Sequence, residues 1–377
     1  MTIIETLSRL VAINSVSSYS NAEIISFLES RCEALGLAIK RFPYRDENGI
    51  EKINSIALAS TGFSESTDVE LALVGHTDTV PYDPNWLDAT TLVERDGKLY
   101  GRGACDTKAF IAAALTAIEA IDLKRLRRPL ALIFTADEEI GLIGAKRLAE
   151  ARPLTARYSI VGEPTSLQPM RAGKGYCLAE VVVRGREGHS AYPASGASAI
   201  FRAARLISKI ETIAEEIKNE QHHNFEPPYT TLNVGLIHGG TAKNVIAGEC
   251  RFTLEWRPIP GQSSNRVLDL VRLALAEVKL DQGFDSEVIA SRTDGGFETP
   301  LYSKLVTTLE RLTGKKAATV AFGTEAAQMI ALGAEAVVMG PGDIRTAHQT
   351  NEFVPIDELE RCANILKNVI ELLCFDR

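Results

Sequence analysis

Residues 71–81 read LALVGHTDTVP. An apolar run of strand character breaks at Gly75 into an imidazole and a carboxylate, His76 and Asp78. Strand ends meet water, so a satisfied His or Asp there is ordinary, and the rest of the chain decides whether more is meant. Two further runs repeat the pattern. RPLALIFTADEE sets the β-rich residues 130–134 ahead of Glu138 and Glu139, and YSIVGEP sets another short strand ahead of Glu163. Helical patterns cover 22–35, stopped by Gly36, then 108–121 and 145–150, with a further strand at 53–59. Alternation of strand and helix predicts an α/β protein. In open α/β sheets ligands bind beyond the carboxyl ends of the strands, so these polar endings stand where chemistry is done.

Between about Gly175 and Ala290 the order changes to strand (177–184), helix (197–219), strands (231–237 and 250–256), helix (265–279) and strand (285–290). This β-α-β-β-α-β order is that of the split βαβ unit, which can fold as a small domain. Helices then return at 303–312 and 325–332, followed by a strand in EAVVMGPG and a terminal helix over 356–373. The expected architecture is a catalytic α/β domain with a central mixed sheet, residues 1–175 and 291–377, interrupted by an inserted domain over 176–290.

A chain of 377 residues suggests two or three domains at roughly 150 residues each. Hydrophobic content of 45% and charged content of 24% are those of a globular protein. The formal charge of −8 argues against nucleic-acid binding, which demands a basic surface. No apolar run approaches the ~18 residues of a membrane span. MTIIETLSRL carries Glu5 and no basic leader, so a cytoplasmic protein is expected. Cys32, Cys105, Cys177, Cys250, Cys362 and Cys374 are scattered, which favours reduced thiols over a disulfide framework.

Asp106 in YGRGACDTKA and His348 in GPGDIRTAHQTNE join His76, Asp78, Glu138, Glu139 and Glu163 as polar punctuation after strands or glycine-rich turns. Each has a plain explanation. Asp106 could cap the helix that begins at Lys108, the two glutamates could favour a first helical turn, and Glu163 could be a turn residue. Together, however, two histidines and five carboxylates at one sheet edge would repel one another without cations. Imidazole and carboxylate donors without thiolate suit zinc, cobalt or manganese, and three protein ligands with an open position describe a catalytic site. The set is large enough for two metals sharing a bridge.

GHTDTVP, GRGACDTKA, TADEE, GEPTSLQP, GHSAYP and AHQTNE, in this order, resemble the dinuclear zinc amidohydrolase and exopeptidase family of acetylornithine deacetylase, succinyl-diaminopimelate desuccinylase and carboxypeptidase G. The resemblance spans essentially the whole chain. GEPTSLQP, TLNVGLIHGG, RPIPG and GTEAA look most like its deacetylase branch. The resemblance implies a catalytic α/β domain interrupted by a lid that makes a homodimer. Carried over by position, it makes Asp106 the bridging carboxylate, with His76 and Glu163 completing one metal site and Glu139 and His348 the other. Two zinc ions are expected, with cobalt or manganese as alternatives. Asp78 matches an acid that orients the first histidine, as metal-bound imidazoles usually require. Consecutive side chains in extended backbone point to opposite faces, so Glu139 can bind metal while Glu138 faces the attacking water as general base. His189 in REGHSAYP would reach a neighbouring subunit's site and stabilise the oxyanion.

Substrate contacts follow from the same resemblance. Asn244 in AKNVIAGE and Arg257 in WRPIPG look like positions near the substrate carboxylate, with domain packing as the alternative. Glu325 stands where the desuccinylase branch has a serine-aspartate pair; it could receive a cationic side chain or simply open a helix. The expected reaction is metal-assisted hydrolysis of an N-acyl amino acid, N2-acetylornithine to ornithine and acetate in arginine biosynthesis. The alternatives are succinyl-diaminopimelate, a dipeptide or another N-acyl amino acid, and, more distantly, a non-catalytic metal-binding protein, for which Glu138 would have no use. The chain departs from the family at Thr107 and Ala109, where Met and Gly are frequent, and at Gly173, where a His is. These departures bear on substrate detail. His222, His223 and His238 read as loop residues, and Cys105, with no base set beside it by any motif, as a small buried one.

Overall fold

The computed structural model describes residues 1–59, 67–278 and 285–375. In chain order the elements used below are α1 (Ile3–Ala12), α2 (Ala22–Ala34), β1 (Ala38–Arg45), β2 (Glu51–Ala59), β3 (Asp68–His76), α3 (Lys108–Glu119), β4 (Leu130–Thr135), α4 (Ile143–Ala151) and β5 (Thr155–Val161). They continue with β6 (Tyr176–Arg184), α5 (Ala199–Glu216), β7 (Thr231–Gly239), β8 (Glu249–Arg257), α6 (Arg266–Val278) and β9 (Asp285–Asp294). The last are α7 (Lys304–Thr313), α8 (Ala326–Ala331), β10 (Glu335–Val338) and α9 (Ile356–Ile370). The chain divides into two units, Met1–Arg171 with Thr299–Ala318 and Thr324–Arg377, and Ala172–Glu298 with Thr319–Gly323.

The first unit is built on a mixed sheet in the order β1-β2-β4-β3-β5-β10. β1 with β2 and β2 with β4 are antiparallel, whereas β3 runs parallel to β4 and β5, and β5 to β10. Parallel strands covered on both faces need apolar residues at nearly every position; β4 is buried throughout and β3 at all but its first residue. Each fully buried Leu or Ile there contributes roughly 1.5–3 kcal/mol. α3 is buried almost all round, and its alanines allow close packing. A Cβ at Gly162 would come within 2.2 Å of the Phe110 ring, so only glycine lets this helix lie against the chain just before Glu163. The parallel arrangement puts the carboxyl ends of β4, β3, β5 and β10 at one edge.

The helix α1 and the strand β1 are among the elements that escape the patterning. α1 is held by a reciprocal cap, with the Glu5 amide donating to the Thr2 hydroxyl at 3.1 Å and the Thr2 amide donating to the Glu5 carboxylate at 2.8 Å, a T-x-x-E signature. Among the described residues β1 pairs only with β2, and it carries Pro43, as an edge strand tolerates. Gly36 ends α2 with φ +86°, a conformation that costs glycine nothing. All six cysteines are buried, and none is in a disulfide.

The second unit has the strand-helix-strand-strand-helix-strand order, in an antiparallel sheet ordered β7-β8-β6-β9. Its core is built from Val181, Val183, Leu206, Ile210, Phe252, Leu254, Trp256 and Val271. The helix expected from 197 begins at Ala199 because the Ser198 hydroxyl caps it, accepting from the Phe201 amide. β9 continues to Asp294 past a register shift between Ala290 and Arg292, beyond the expected 285–290. The expected end of α6 at Lys279 lies outside the described residues. Among the described residues no helix is long and apolar enough to cross a membrane.

Candidate metal centre

His76 ends β3 and is paired in register with Thr135 at the end of β4. Asp106 lies in the loop before α3, Glu138 and Glu139 in the turn after β4, Glu163 just beyond β5, and His348 beyond β10. His76 Nε2 is 3.0 Å from Asp106 Oδ1, while His348 Nε2 is 3.2 Å from Asp106 Oδ2 and 3.1 Å from Glu139 Oε2. Asp106 thus turns one oxygen to each imidazole. One donor atom each from His76, Asp106 and Glu139 lie within 4.8 Å of one another. Glu163 is buried, and its carboxyl feels the charges of Asp106 and Glu138.

The proton inventory of this cluster calls for cations. His76 Nδ1 lies 3.0 Å from the Asp78 carbonyl oxygen, which can only accept, so Nδ1 carries the proton. Against the pull of burial, the hydrogen bond and charge of Asp106 push the His76 imidazole well above its usual range, so a positive charge, a proton or a metal ion in its place, belongs between Nε2 and the Asp106 oxygen 3.0 Å away. Burial, aided by neighbouring acids, pushes the Glu138 and Glu163 carboxyls well above the usual range. Hydrogen bonds to Asp106 and Glu139 push the His348 imidazole up to about 10. A nitrogen-and-oxygen donor set with excess negative charge and no thiolate fits divalent metal ions.

Asp78 works differently from the expectation. Its nearest carboxylate oxygen is 3.8 Å from His76 Nδ1, too far for a hydrogen bond, and its backbone carbonyl orients the ring instead. The carboxylate accepts from the amides of Glu138 at 3.1 Å and Glu139 at 3.3 Å, and from the Ser17 hydroxyl at 2.7 Å. One residue therefore fixes the histidine through its main chain and the glutamate pair through its side chain.

Glu352 has no place in the sequence reading although it closes AHQTNE. Its carboxylate accepts from the amides of Gly103 (3.1 Å), Cys105 (2.8 Å) and Asp106 (2.9 Å) and from Arg102 Nη1 (2.6 Å). It thereby shapes the loop that presents Asp106. Glu325 is wholly buried, and neither carboxylate oxygen has a hydrogen-bond partner among the described residues. Burial pushes its carboxyl up to about 7, against the pull of His76. When ionised, it adds to the negative charge around His76.

The remaining residues lie in the second unit. The two-residue strand Gly188–His189 pairs with Val245–Ile246, setting His189 opposite Val245 and so next to Asn244, both exposed. The Ala191 amide donates to His189 Nδ1 at 3.1 Å. Ser190, Phe201, Lys243 and Ile246 line a cavity of about 730 Å³ beside them. Arg257 is already engaged, with Nε 2.7 Å from Glu255, Nη1 donating to the Ala321 carbonyl at 2.9 Å, and its guanidinium over the Tyr176 ring. His222 pairs with Glu298 at 2.8 Å.

A histidine-carboxylate centre at the strand ends of an α/β unit is the equipment of a metal-dependent hydrolase, and the chain belongs to Peptidase family M20/M25/M40, whose model matches residues 72–372. The family is dinuclear and metal-dependent. The chain is 51% identical to an acetylornithine deacetylase of Myxococcus xanthus, over 99% of this chain and 97% of that one. It is 37% identical to an acetylornithine deacetylase of Proteus mirabilis (strain HI4320), with the same coverage. Among solved structures, a tripeptidase from Staphylococcus aureus matches with TM-score 0.76 and 25% identity, covering 98% of this chain and 97% of that one.

Proposed function

We propose that the protein hydrolyses the acetyl amide of N2-acetylornithine to ornithine and acetate, a reaction of arginine biosynthesis in the cytoplasm. The similarity to acetylornithine deacetylases along 99% of the chain carries this reading, and the acid-rich centre supplies its chemistry. His76 and Glu163 would hold one metal ion and Glu139 and His348 the other, with Asp106 bridging; zinc suits these donors best, and cobalt or manganese would serve. Bound there, the ions would acidify water and polarise the acyl oxygen. Glu138 takes the proton from the attacking water, its amide held by Asp78, and returns it to the departing nitrogen so that the amine leaves neutral. Glu325 is a counter-charge to the metal centre.

The second unit serves as a lid and dimer surface that brings His189 to the partner's centre, with Asn244 beside it, while Arg257 is spent on packing within the unit. Because Nδ1 of His189 accepts a hydrogen bond, Nε2 carries the proton of the neutral ring and can donate to a developing oxyanion. Losing one such donor costs about 10²–10³-fold in kcat, so His189→Ala is expected to fall by that amount. Mixing it with Glu138→Gln chains should restore part of the activity in mixed dimers. No recovery in verified mixed dimers would place the whole site within one chain.

The substrate assignment is tested by kcat/KM on N2-acetylornithine, N-acetylmethionine, N-succinyl-diaminopimelate and a tripeptide. Acetylornithine is expected to be turned over best. A higher value for any of the others would reassign the enzyme within its family.

A further inference from the structure

In strand β2, Lys52 and Asn54 are two apart and so share a face, and both reach the turn that carries the glutamate pair. Asn54 accepts from the Ala136 amide and donates to the Gly144 carbonyl, each at 3.0 Å. Lys52 is 1% exposed. Its ammonium spends its three protons on the Ser17 carbonyl, the Tyr19 carbonyl at 3.0 Å and Asp137 Oδ1 at 2.7 Å. The Tyr44 hydroxyl donates to Asp137 Oδ2 at 2.8 Å, and Arg147 stacks on the Tyr44 ring.

Asp137 immediately precedes Glu138 and has φ +56°, a left-handed conformation that non-glycine residues hold only when their surroundings fix it. The Lys52–Asp137 ion pair, both side chains 1% exposed, supplies that fixation. The same ammonium grips the Ser17 carbonyl, and the Ser17 hydroxyl donates to Asp78, the acceptor for the Glu138 amide. Lys52 therefore braces Glu138 from two sides, through the residue before it and through the acceptor of its own N–H.

We propose that Lys52, through its buried pair with Asp137, is a positioning residue that sets the aim of Glu138 as acid-base group. The inference rests on the role of Glu138 proposed above. A misplacement of about 1 Å can cost on the order of 10²-fold in rate, so Lys52→Met is expected to lower kcat by that factor at saturating metal, with KM unchanged. Because the loss passes through Glu138, Lys52→Met should cost nothing more in a Glu138→Gln background; residues acting as one unit are non-additive in this way.

Tyr44→Phe leaves the ion pair in place and removes one hydrogen bond to a charged group, and should lower kcat about tenfold with the same disappearance in the Glu138→Gln background. If Lys52→Met does not accumulate as folded protein, the Tyr44→Phe pair decides the question. Equal losses in both backgrounds, or losses that arise as raised KM or disappear at saturating metal, would overturn the proposal. A wild-type enzyme inactive on every N-acyl amino acid would instead overturn the proposed function, before any variant is compared.

Discussion

Exhaustive chelation is expected to abolish hydrolysis of N2-acetylornithine, and readdition of zinc, cobalt or manganese to restore it. The reason is the charge imbalance at the strand ends. Asp106 faces His76 and His348 at 3.0 and 3.2 Å, Glu138, Glu163 and Glu325 are held far above the usual carboxylate range by burial, and no cysteine thiolate joins the set. Stripped of ions, the cluster must take up protons, and a protonated Glu138 cannot accept one from water. Ions that bind only the folded chain also stabilise it, so the melting temperature should drop with the activity. Full activity in protein shown by elemental analysis to be metal-free would remove the basis of the mechanism.

Glu138→Gln should lower kcat by about 10²–10⁴-fold, the usual contribution of a positioned acid or base, while the bound metal stays. Glu139→Gln should behave in the opposite way. Glu139 lies 3.1 Å from His348 and shares the compact donor group with His76 and Asp106, so its loss weakens metal binding first, and excess metal should recover part of the rate. The adjacent side chains are distinguished by metal titration alongside kcat. Interchanged effects would reverse their roles.

The strands that end in chemistry were the most legible part of the chain. β3, β4 and β5 are apolar runs that stop at His76, Glu138 and Glu163, and a parallel sheet converts such endings into one edge. Legibility failed where structure depends on partners distant in sequence. Glu352 meets its three amides across 246 to 249 residues, and Lys52 meets Asp137 across 85; neither spacing leaves a local pattern. β1 is an edge strand with four of its eight residues exposed and none buried, so it lacks the apolar run that marks the inner strands. α1 did leave a signal, the Thr2–Glu5 cap, and it can be read from four residues. Asp78 was found as a residue but not as a geometry, because a carbonyl and a carboxylate on the same residue exchange roles without changing the sequence.

The most direct test follows the products while the metal-stripped protein is reloaded with zinc. Incubated with N2-acetylornithine, it should release acetate and ornithine in equal amounts, at a rate that rises from zero and levels off at two ions per chain. Ornithine release at full rate before zinc is added, or none at any loading while another acyl or peptide substrate is cleaved, would contradict the account.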